Sequence, residues 1–495
     1  MKELLIELDT GAKTSLYEQI YEYIRRNIMD GRLSCGERLP SARLLAEHLK
    51  ISRSTVDAAY AQLVSEGYLQ AKRGSGYYVC DIGGLYDFTG HGHTDADNES
   101  GKQEGGCDEK IPAEQEVRYN FLPGQIDDQG FAYHAWRKCA KEALADLESR
   151  RQLLSVGHPQ GEYELRRAIA TYLYQARGVY CEPEQMVIGA GNEYLLQLLA
   201  QILGGPRLVA MESPTYLQAY HTFCNIGYTV SAVPVDMEGM QVDRIPDGIT
   251  LAYVMPSHQF PLGTVMPLRR RLQLLAWAQG GTERFIIEDD YDSEFRYTGR
   301  PIPALSGITR QEQVVYLGTF SNSIMPSVRI SYMVLPQPLL TAYKETCGFY
   351  ASTVSKEQQM TVCRFLTQRY FERHLNKMRG IYKVKHDLLL QLLRGKFWVW
   401  RIYGDHAGLH LAVELACSLT EEEVIARARS FGICVQGMSG CYIAGNKKPD
   451  DRPILLLGFG GLTQEQIQEG IQILERCVVH HAADRTDSEK KRTTG

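Results

Sequence analysis

Three short stretches of the chain carry side chains whose types and spacing suit a phosphorylated ligand. Gly189-Ala190-Gly191-Asn192-Glu193 places small residues at the head of a run that continues through Leu195 and Leu199 at helical spacing. A helix that starts there exposes backbone N–H groups able to cradle a phosphate. The string GTFSNSIMPSVRISY, residues 318–332, offers Thr319, Ser321 and Arg329, two hydroxyls and a guanidinium suited to a dianion. Glu288-Asp289-Asp290-Tyr291-Asp292 follows an apolar run and is too acidic for a default loop. A glycine turn before a helix is common and carries little weight alone. Three such stretches on neighbouring elements point to one phosphorylated ligand.

The elements that must position them read as strands alternating with helices. From Tyr119 onward, short apolar runs at Met186–Ile188, Arg207–Met211, Leu251–Val254, Phe285–Ile287 and Val314–Leu317 alternate with helical stretches. That alternation predicts an α/β domain built on a mostly parallel sheet, whose ligands sit beyond the carboxyl ends of the strands. The three stretches fall at such ends.

The first 80 residues follow a different pattern. Leu16, Ile20, Tyr23, Ile24 and Ile28 recur at helical spacing before Gly31. Ser41 caps a second expected helix, with Leu44, Leu45 and Leu49 inward. Ser52 caps a third, with Val56, Tyr60 and Leu63 inward and Arg53, Ser54 and Thr55 outward in its first turn. Tyr68–Ala71 and Tyr77–Val79 then flank Lys72-Arg73-Gly74-Ser75-Gly76, a strand, a basic glycine turn and a strand. Three helices and a basic-tipped hairpin predict a winged helix-turn-helix, which lays its third helix in the major groove of duplex DNA. Residues 1–80 hold eleven basic and ten acidic side chains, net +1, so total charge adds little. Placement carries the argument: Arg43, Arg53, Lys72 and Arg73 come from three elements that would face one duplex. An isolated arginine is most often a solvated surface charge, and the clustering is what favours DNA.

Whole-chain composition narrows the class further. The 495 residues are 44% hydrophobic and 23% charged with a net charge of -5, which fits a folded chain of two or three domains and excludes a wholly disordered one. No apolar run reaches 18 residues, which argues against a membrane span. Twelve cysteines are scattered singly, with no CxxC pair and no Cys/His cluster, favouring a reducing cytoplasm and no metal site. Residues 81–118 hold seven glycines between Gly83 and Gly106 and lose all periodicity, so they are expected to be a flexible linker. The expected division is 1–80 for the DNA-binding domain, 81–118 for the linker, 119–478 for the large domain and 479–495 for a disordered tail.

The string GRLSCGERLPSARLLAEHLKISRSTVDAAYAQLVSEGYL followed by GSGYYV resembles the DNA-binding domain of the GntR family. That resemblance implies that Ser41, Arg43, Arg53, Ser54, Thr55, Lys72 and Arg73 approach DNA, with Gly74 and Gly76 shaping the wing. The phosphate-suited strings, with SPTY at 213–216 and MPSHQFPLG at 255–263, resemble the fold-type I aminotransferase domain of the MocR subfamily of GntR regulators. By that likeness the cofactor is pyridoxal 5'-phosphate. Asp289 would pair with its pyridine nitrogen, Tyr291 with its phenolic oxygen, and Tyr216 would stack on its ring. Gly191, Asn192, Glu193, Thr319, Ser321 and Arg329 would hold its phosphate. The resemblance also implies a homodimer that binds double-stranded operator DNA and a small-molecule effector.

Two positions depart from the family pattern. The lysine that forms the Schiff base with the cofactor aldehyde is replaced by Asn322. An amide nitrogen, its lone pair delocalised into the carbonyl, is neither nucleophile nor useful base near neutral pH. In ILLLGF, Leu456 stands where catalytic relatives carry the arginine that clamps a substrate carboxylate. The expectation is therefore a regulator that senses pyridoxal phosphate or a related molecule, non-covalently and without transamination. Two alternatives stay open: a working aminotransferase, and a domain that only dimerises the DNA reader with no ligand.

Overall fold

The computed structural model describes residues 6, 8–9, 14–72, 76–80, 117–145, 151, 153–297, 303–308, 312–443 and 452–479. Arg73, Gly74, most of the 81–118 segment and nearly all of the 479–495 tail lie outside the described residues. The chain divides into two compact units, Met1–Glu109 and Lys110–Gly495.

The first unit holds helices α1 (Leu16–Met29), α2 (Ala42–Leu49) and α3 (Arg53–Ser65), then strands β1 (Leu69–Lys72) and β2 (Gly76–Val79). Both expected caps form: the Ser41 side chain accepts from Leu44 N (3.2 Å) and the Ser52 side chain from Thr55 N (3.4 Å). Between the two helices Lys50 takes a left-handed conformation, φ 53°, which lets a three-residue turn redirect the chain. The core joins Ile20, Ile24 and Ile28 of α1 to Leu45, Val56, Tyr60 and Leu63. Tyr60 is wholly buried, and its hydroxyl donates to Pro40 O (3.0 Å). Leu44 departs from expectation: it is half exposed, while Ala42, Leu45 and Ala46 face inward. The cause is helical phase, because Leu45 and Leu49 share a face and a neighbour one residue away is rotated by about 100°. β1 and β2 pair antiparallel from Leu69↔Val79 to Lys72↔Gly76, so Lys72 and Gly76 are the last paired residues of the ladder.

The second unit is organised by an eight-stranded sheet in the order β4-β11-β10-β9-β8-β5-β6-β7. Its strands are β4 (Met186–Gly189), β5 (Leu208–Ser213), β6 (Thr229–Asp236), β7 (Gly239–Met240), β8 (Leu251–Val254), β9 (Phe285–Asp290), β10 (Val314–Thr319) and β11 (Ser331–Val334). Only β7 and β11 run against the others, so the sheet is mostly parallel, and buried apolar clusters cover both faces. A second sheet of β12 (Val399–Tyr403), β13 (His410–Leu415), β16 (Ile454–Gly458) and β15 (Gln436–Gly437) is antiparallel. A two-stranded parallel pair joins β3 (Tyr119–Asn120) to β14 (Ile433–Cys434).

The acidic stretch expected after a strand is largely strand itself. β9 runs to Asp290, and Glu288, Asp289 and Asp290 are all buried between β8 and β10. Each carboxylate is compensated from a different side, as buried charge requires. Glu288 accepts from Leu305 N (2.9 Å), Asp290 from Arg177 (2.7 Å) and the Tyr316 hydroxyl (2.6 Å), and Asp289 from residues of the cleft described below.

Candidate functional site

In the first unit the heads of α2 and α3 present the residues expected to meet DNA. Arg43 and Arg53 have side chains 79% and 69% exposed, each in an i,i+4 ion pair on its own helix, with Glu47 (3.1 Å) and Asp57 (3.3 Å). Such surface pairs are worth about 0–1 kcal/mol and yield readily to a phosphate. The Ser41 and Ser52 oxygens accept cap bonds, and Ser54 Oγ lies 2.5 Å from Ser52 Oγ with Thr55 Oγ1 at 3.3 Å. Lys72 lies over the Tyr78 ring, 4.8 Å from its centroid. Sequence reasoning passed over Arg38. It is exposed, bridges to Tyr78 of the wing, and its Nε would lie 3.4 Å from a Cβ at Gly76, whose φ is +107°. Its place just ahead of the Leu39-Pro40 lead-in was the available signal.

In the second unit one cleft of about 630 Å³ opens at the carboxyl ends of the parallel strands. Asn192, Glu193, Tyr216, Asp289, Tyr291, Thr319, Ser321, Asn322 and Arg329 all line it. Gly191 (φ +111°) caps the helix Asn192–Ile202, and a Cβ there would collide with the Arg329 guanidinium. That φ of +111° strains any residue with a side chain, and a Cβ would also displace that cation. Arg329, itself at φ 47°, ion-pairs with the Glu193 carboxylate (3.0 Å). Ser331 donates to Thr319 Oγ1 (3.0 Å), which donates to Ser321 Oγ (3.1 Å). Among the described residues that chain ends on the Ser321 hydroxyl, which lines the cleft.

The floor is acidic. Asp289 accepts from Tyr253 Oη and from Asn192 Nδ2 (3.2 Å), and burial pushes its carboxyl up to about 7 against those two hydrogen bonds. Tyr291 Oη lies 3.0 Å from His258 Nδ1, and the same nitrogen lies 2.8 Å from Asp292 Oδ2. Burial, with Asp292 and Asp289 close by, raises the Tyr291 phenol well above its ordinary value, so it stays protonated. Tyr216 sets its ring edge-on to Phe260, centroids 6.1 Å apart. Asn322 donates to Tyr291 O (3.3 Å). Its amide supplies hydrogen bonds and no nucleophile.

Leu456 is wholly buried in β16, opposite Ala412 and Gln436, in a cluster with Tyr403, Met438 and Cys441. Leu456 is not among the cleft's lining residues; Cys441 of its cluster, Phe260 packed against it and its cross-strand partner Gln436 are. The cleft further contains Thr215, His221, His410 and Gln436, which sequence reasoning did not single out. Thr215 is buried, and among the described residues neither its Oγ1 nor Asn192 Oδ1 has a hydrogen-bond partner. Burial, with His258 nearby, lowers His410 to about 3, which keeps it neutral. His410 and Gln436 come from the second sheet, and no local pattern announces their arrival here. Among the described residues no His/Cys/Asp/Glu group could hold a metal, and no helix is long and apolar enough to cross a membrane.

Comparison with known proteins agrees with this geometry. The family model of bacterial regulatory proteins, gntR family, matches residues 16–79, and that of aminotransferase class I and II matches residues 128–473. The uncharacterized HTH-type transcriptional regulator YdeL of Bacillus subtilis is 39% identical over 93% of this chain and 96% of its own. The probable rhizopine catabolism regulatory protein MocR of Rhizobium meliloti is 31% identical over 95% of each chain. The HTH-type pyridoxine biosynthesis transcriptional regulator PdxR of Corynebacterium glutamicum is 30% identical over 94% and 97%. The crystal structure of Pyrococcus horikoshii kynurenine aminotransferase shares the fold of the large unit, with a TM-score of 0.64 at 23% identity, covering 73% of this chain and 91% of that one. A GntR DNA-binding domain fused to an aminotransferase class I and II domain, with relatives that match along nearly their whole length, places this chain in the MocR-type family of GntR transcription regulators.

Proposed function

We propose that this regulator senses a pyridoxal phosphate species held non-covalently in the cleft, and that it does not transaminate. The observation that carries the reading is Asn322, an amide at the one position where the chemistry needs an amine, inside a cleft whose other groups suit the cofactor. The fit rests on the Gly191 cradle beside Arg329, the hydroxyl chain ending at Ser321, and the buried Asp289. Arg329, Thr319, Ser321 and the backbone N–H groups of Asn192 and Glu193 would hold the phosphate. The Glu193 carboxylate would serve as partner to Arg329 rather than as a phosphate ligand. Asp289 would accept from the ring nitrogen, Tyr291 would donate to the ring oxygen, and Tyr216 would cover the ring. When bound to a lysine enzyme this cofactor supplies an electron sink for amino-acid chemistry. Here no lysine is among the described residues that line the cleft, and Asn322 offers it neither amine nor base. The regulation of pyridoxine biosynthesis in the name of the PdxR relative supports a vitamin-derived ligand.

The same proposal takes residues 1–80 as the DNA-binding domain, 119–478 as the effector and dimerisation domain, 81–118 as the connection and 479–495 as a tail. It describes a cytoplasmic homodimer on double-stranded operator DNA. The deciding experiment is an absorbance spectrum of the purified protein with and without added pyridoxal phosphate, followed by borohydride. Bound chromophore that dialyses away and leaves no reduced adduct is the expected result. Failure of pyridoxal phosphate and pyridoxamine phosphate to bind at high micromolar concentration would favour a ligand-free dimerising domain. Calorimetry gives a graded check. Arg329→Ala should weaken pyridoxal phosphate binding by about 1.5–3 kcal/mol, toward the low end because the side chain is half exposed, against about 0.5–1.5 kcal/mol for Thr319→Ala. Equal losses would remove Arg329 from the phosphate site.

A further inference from the structure

The string Ser257-His258-Gln259-Phe260-Pro261 carries a histidine that the functional reading above leaves without a role. His258 is 2% exposed, and its ring fits a slot walled by glycines. A Cβ on Gly408 would collide with it, and one on Gly263 would lie 3.0 Å from Nε2. The ring is therefore fixed in orientation, and its Nδ1 faces two oxygens, Asp292 Oδ2 at 2.8 Å and Tyr291 Oη at 3.0 Å.

One ring nitrogen carries either a proton or a lone pair. A lone pair on Nδ1 would face the carboxylate oxygen of Asp292 across 2.8 Å in a buried setting, with nothing between them. A proton on Nδ1 satisfies the carboxylate and is shared with Tyr291 Oη. The tyrosine then receives rather than donates at His258, and its own O–H proton must go elsewhere. Among the described residues His258 is the one hydrogen-bond partner of Tyr291 Oη, and Tyr291 lines the cleft. The neighbouring groups do not disturb this arrangement: His410 stands 5.5 Å away, ring to ring, and is occupied with Pro261 O (3.0 Å), while Arg177 is tied to Asp290 and Ser257.

We infer that His258, held by Asp292, is a positioning residue that sets the Tyr291 hydroxyl as a donor aimed into the cleft, so that the site selects rings presenting an ionised oxygen there. This rests on the reading of the cleft as a site for a phosphorylated hydroxypyridine and adds the group that decides which protonation state of that ring is taken. In a chain that forms no covalent bond to its ligand, selection by hydrogen-bond polarity carries more of the discrimination.

The test uses the full chain and pyridoxine 5'-phosphate, which has the ring oxygen but no aldehyde to react. Two quantities are read: affinity by calorimetry, and the pH at which the bound ring oxygen ionises, followed by ultraviolet absorbance. In the unmodified protein the bound ring should ionise at lower pH than the free ring. Asp292→Asn is the sharpest variant, because it keeps the volume and offers an amide N–H to Nδ1. That turns Nδ1 into an acceptor, draws the Tyr291 proton toward His258 and away from the ligand. The ionisation should move up by about one pH unit and the affinity fall about tenfold, the size of one charge-assisted hydrogen bond. Tyr291→Phe should give the same shift, and adding Asp292→Asn to it should add nothing. His258→Asn, whose amide N–H₂ can stand near Nδ1, should keep the low ionisation pH, and His258→Phe should lose it. An Asp292→Asn protein that binds with unchanged ionisation, or losses that add to that of Tyr291→Phe, would overturn the assignment while leaving the ligand reading in place. Absence of pyridoxine phosphate binding to the unmodified protein would overturn both.

Discussion

Asn322→Lys should let the cleft form a covalent bond with pyridoxal phosphate that borohydride traps. The position lies three residues past the end of β10, lines the cleft, and is half-buried beside Tyr291. A lysine amine in such surroundings is partly desolvated, which lowers its pKa and frees the lone pair for attack on an aldehyde. On the proposed reading the residues that would hold the ring and phosphate line the same cleft, so one substitution supplies the amine. The measurement is a visible absorbance change followed by mass analysis of the reduced protein, with the adduct on the peptide that carries the substituted position. An adduct in the unmodified protein would locate the amine elsewhere and defeat the argument from Asn322. A substituted protein that stays colourless would mean that the cleft has drifted beyond this residue. Turnover of amino donors should remain at background even when the bond forms, because Leu456 offers a substrate carboxylate no bidentate partner. Restoring an arginine there carries its own cost. Leu456 is wholly buried against Tyr403, Met438 and Cys441, and an unpaired buried charge destabilises by several kcal/mol. Rapid transamination by Asn322→Lys alone would show that another residue clamps the substrate.

What the sequence made legible, and what it hid, follows from how local each signal is. Ser41 and Ser52 announced their helices because a cap is a contact between residues three apart. The five apolar runs became β4, β5, β8, β9 and β10 because strands buried on both faces read as continuous hydrophobic stretches. Leu44 was misjudged because three leucines within six positions define a helical face only once the phase is known. The acidic end of β9 reads as lying beyond the strand because the partners that make its burial tolerable, Arg177, Tyr253, Leu305 N and Tyr316, are distant in sequence. Thr215 and His410 were missed for the same reason. His410 reaches the cleft from the second sheet, about 120 residues after Asp289, and only tertiary packing sets them together. Composition gave no warning of the DNA-binding unit, since a net charge of -5 conceals a local arrangement of Arg38, Arg43, Arg53 and Lys72.

Arg53→Ala should cost about 1–3 kcal/mol of operator binding and relax selectivity at one base position, if the side chain reads a base edge from the major groove. The case rests on its place at the first residue of α3, the helix that a winged helix-turn-helix inserts, and on its 69% exposure. In the free protein the guanidinium is held by Asp57 at 3.3 Å. That pair is exposed and therefore cheap to break, but it leaves a carboxylate close to the incoming phosphates. Asp57→Asn should accordingly tighten binding to all sequences alike, and more at low salt, where phosphate electrostatics are least screened. Arg53→Ala separates two roles through its salt dependence. A base reader leaves the slope of log affinity against log salt unchanged and alters the sequence preference, whereas a phosphate contact lowers the slope by about one and leaves the preference intact. A footprint and affinity unchanged in Arg53→Ala would take the head of α3 out of the recognition surface. The burden would then pass to Arg43 at the head of α2 and to Arg38 beside the wing, and Arg38→Ala and Arg43→Ala, measured with the same salt series, would locate it.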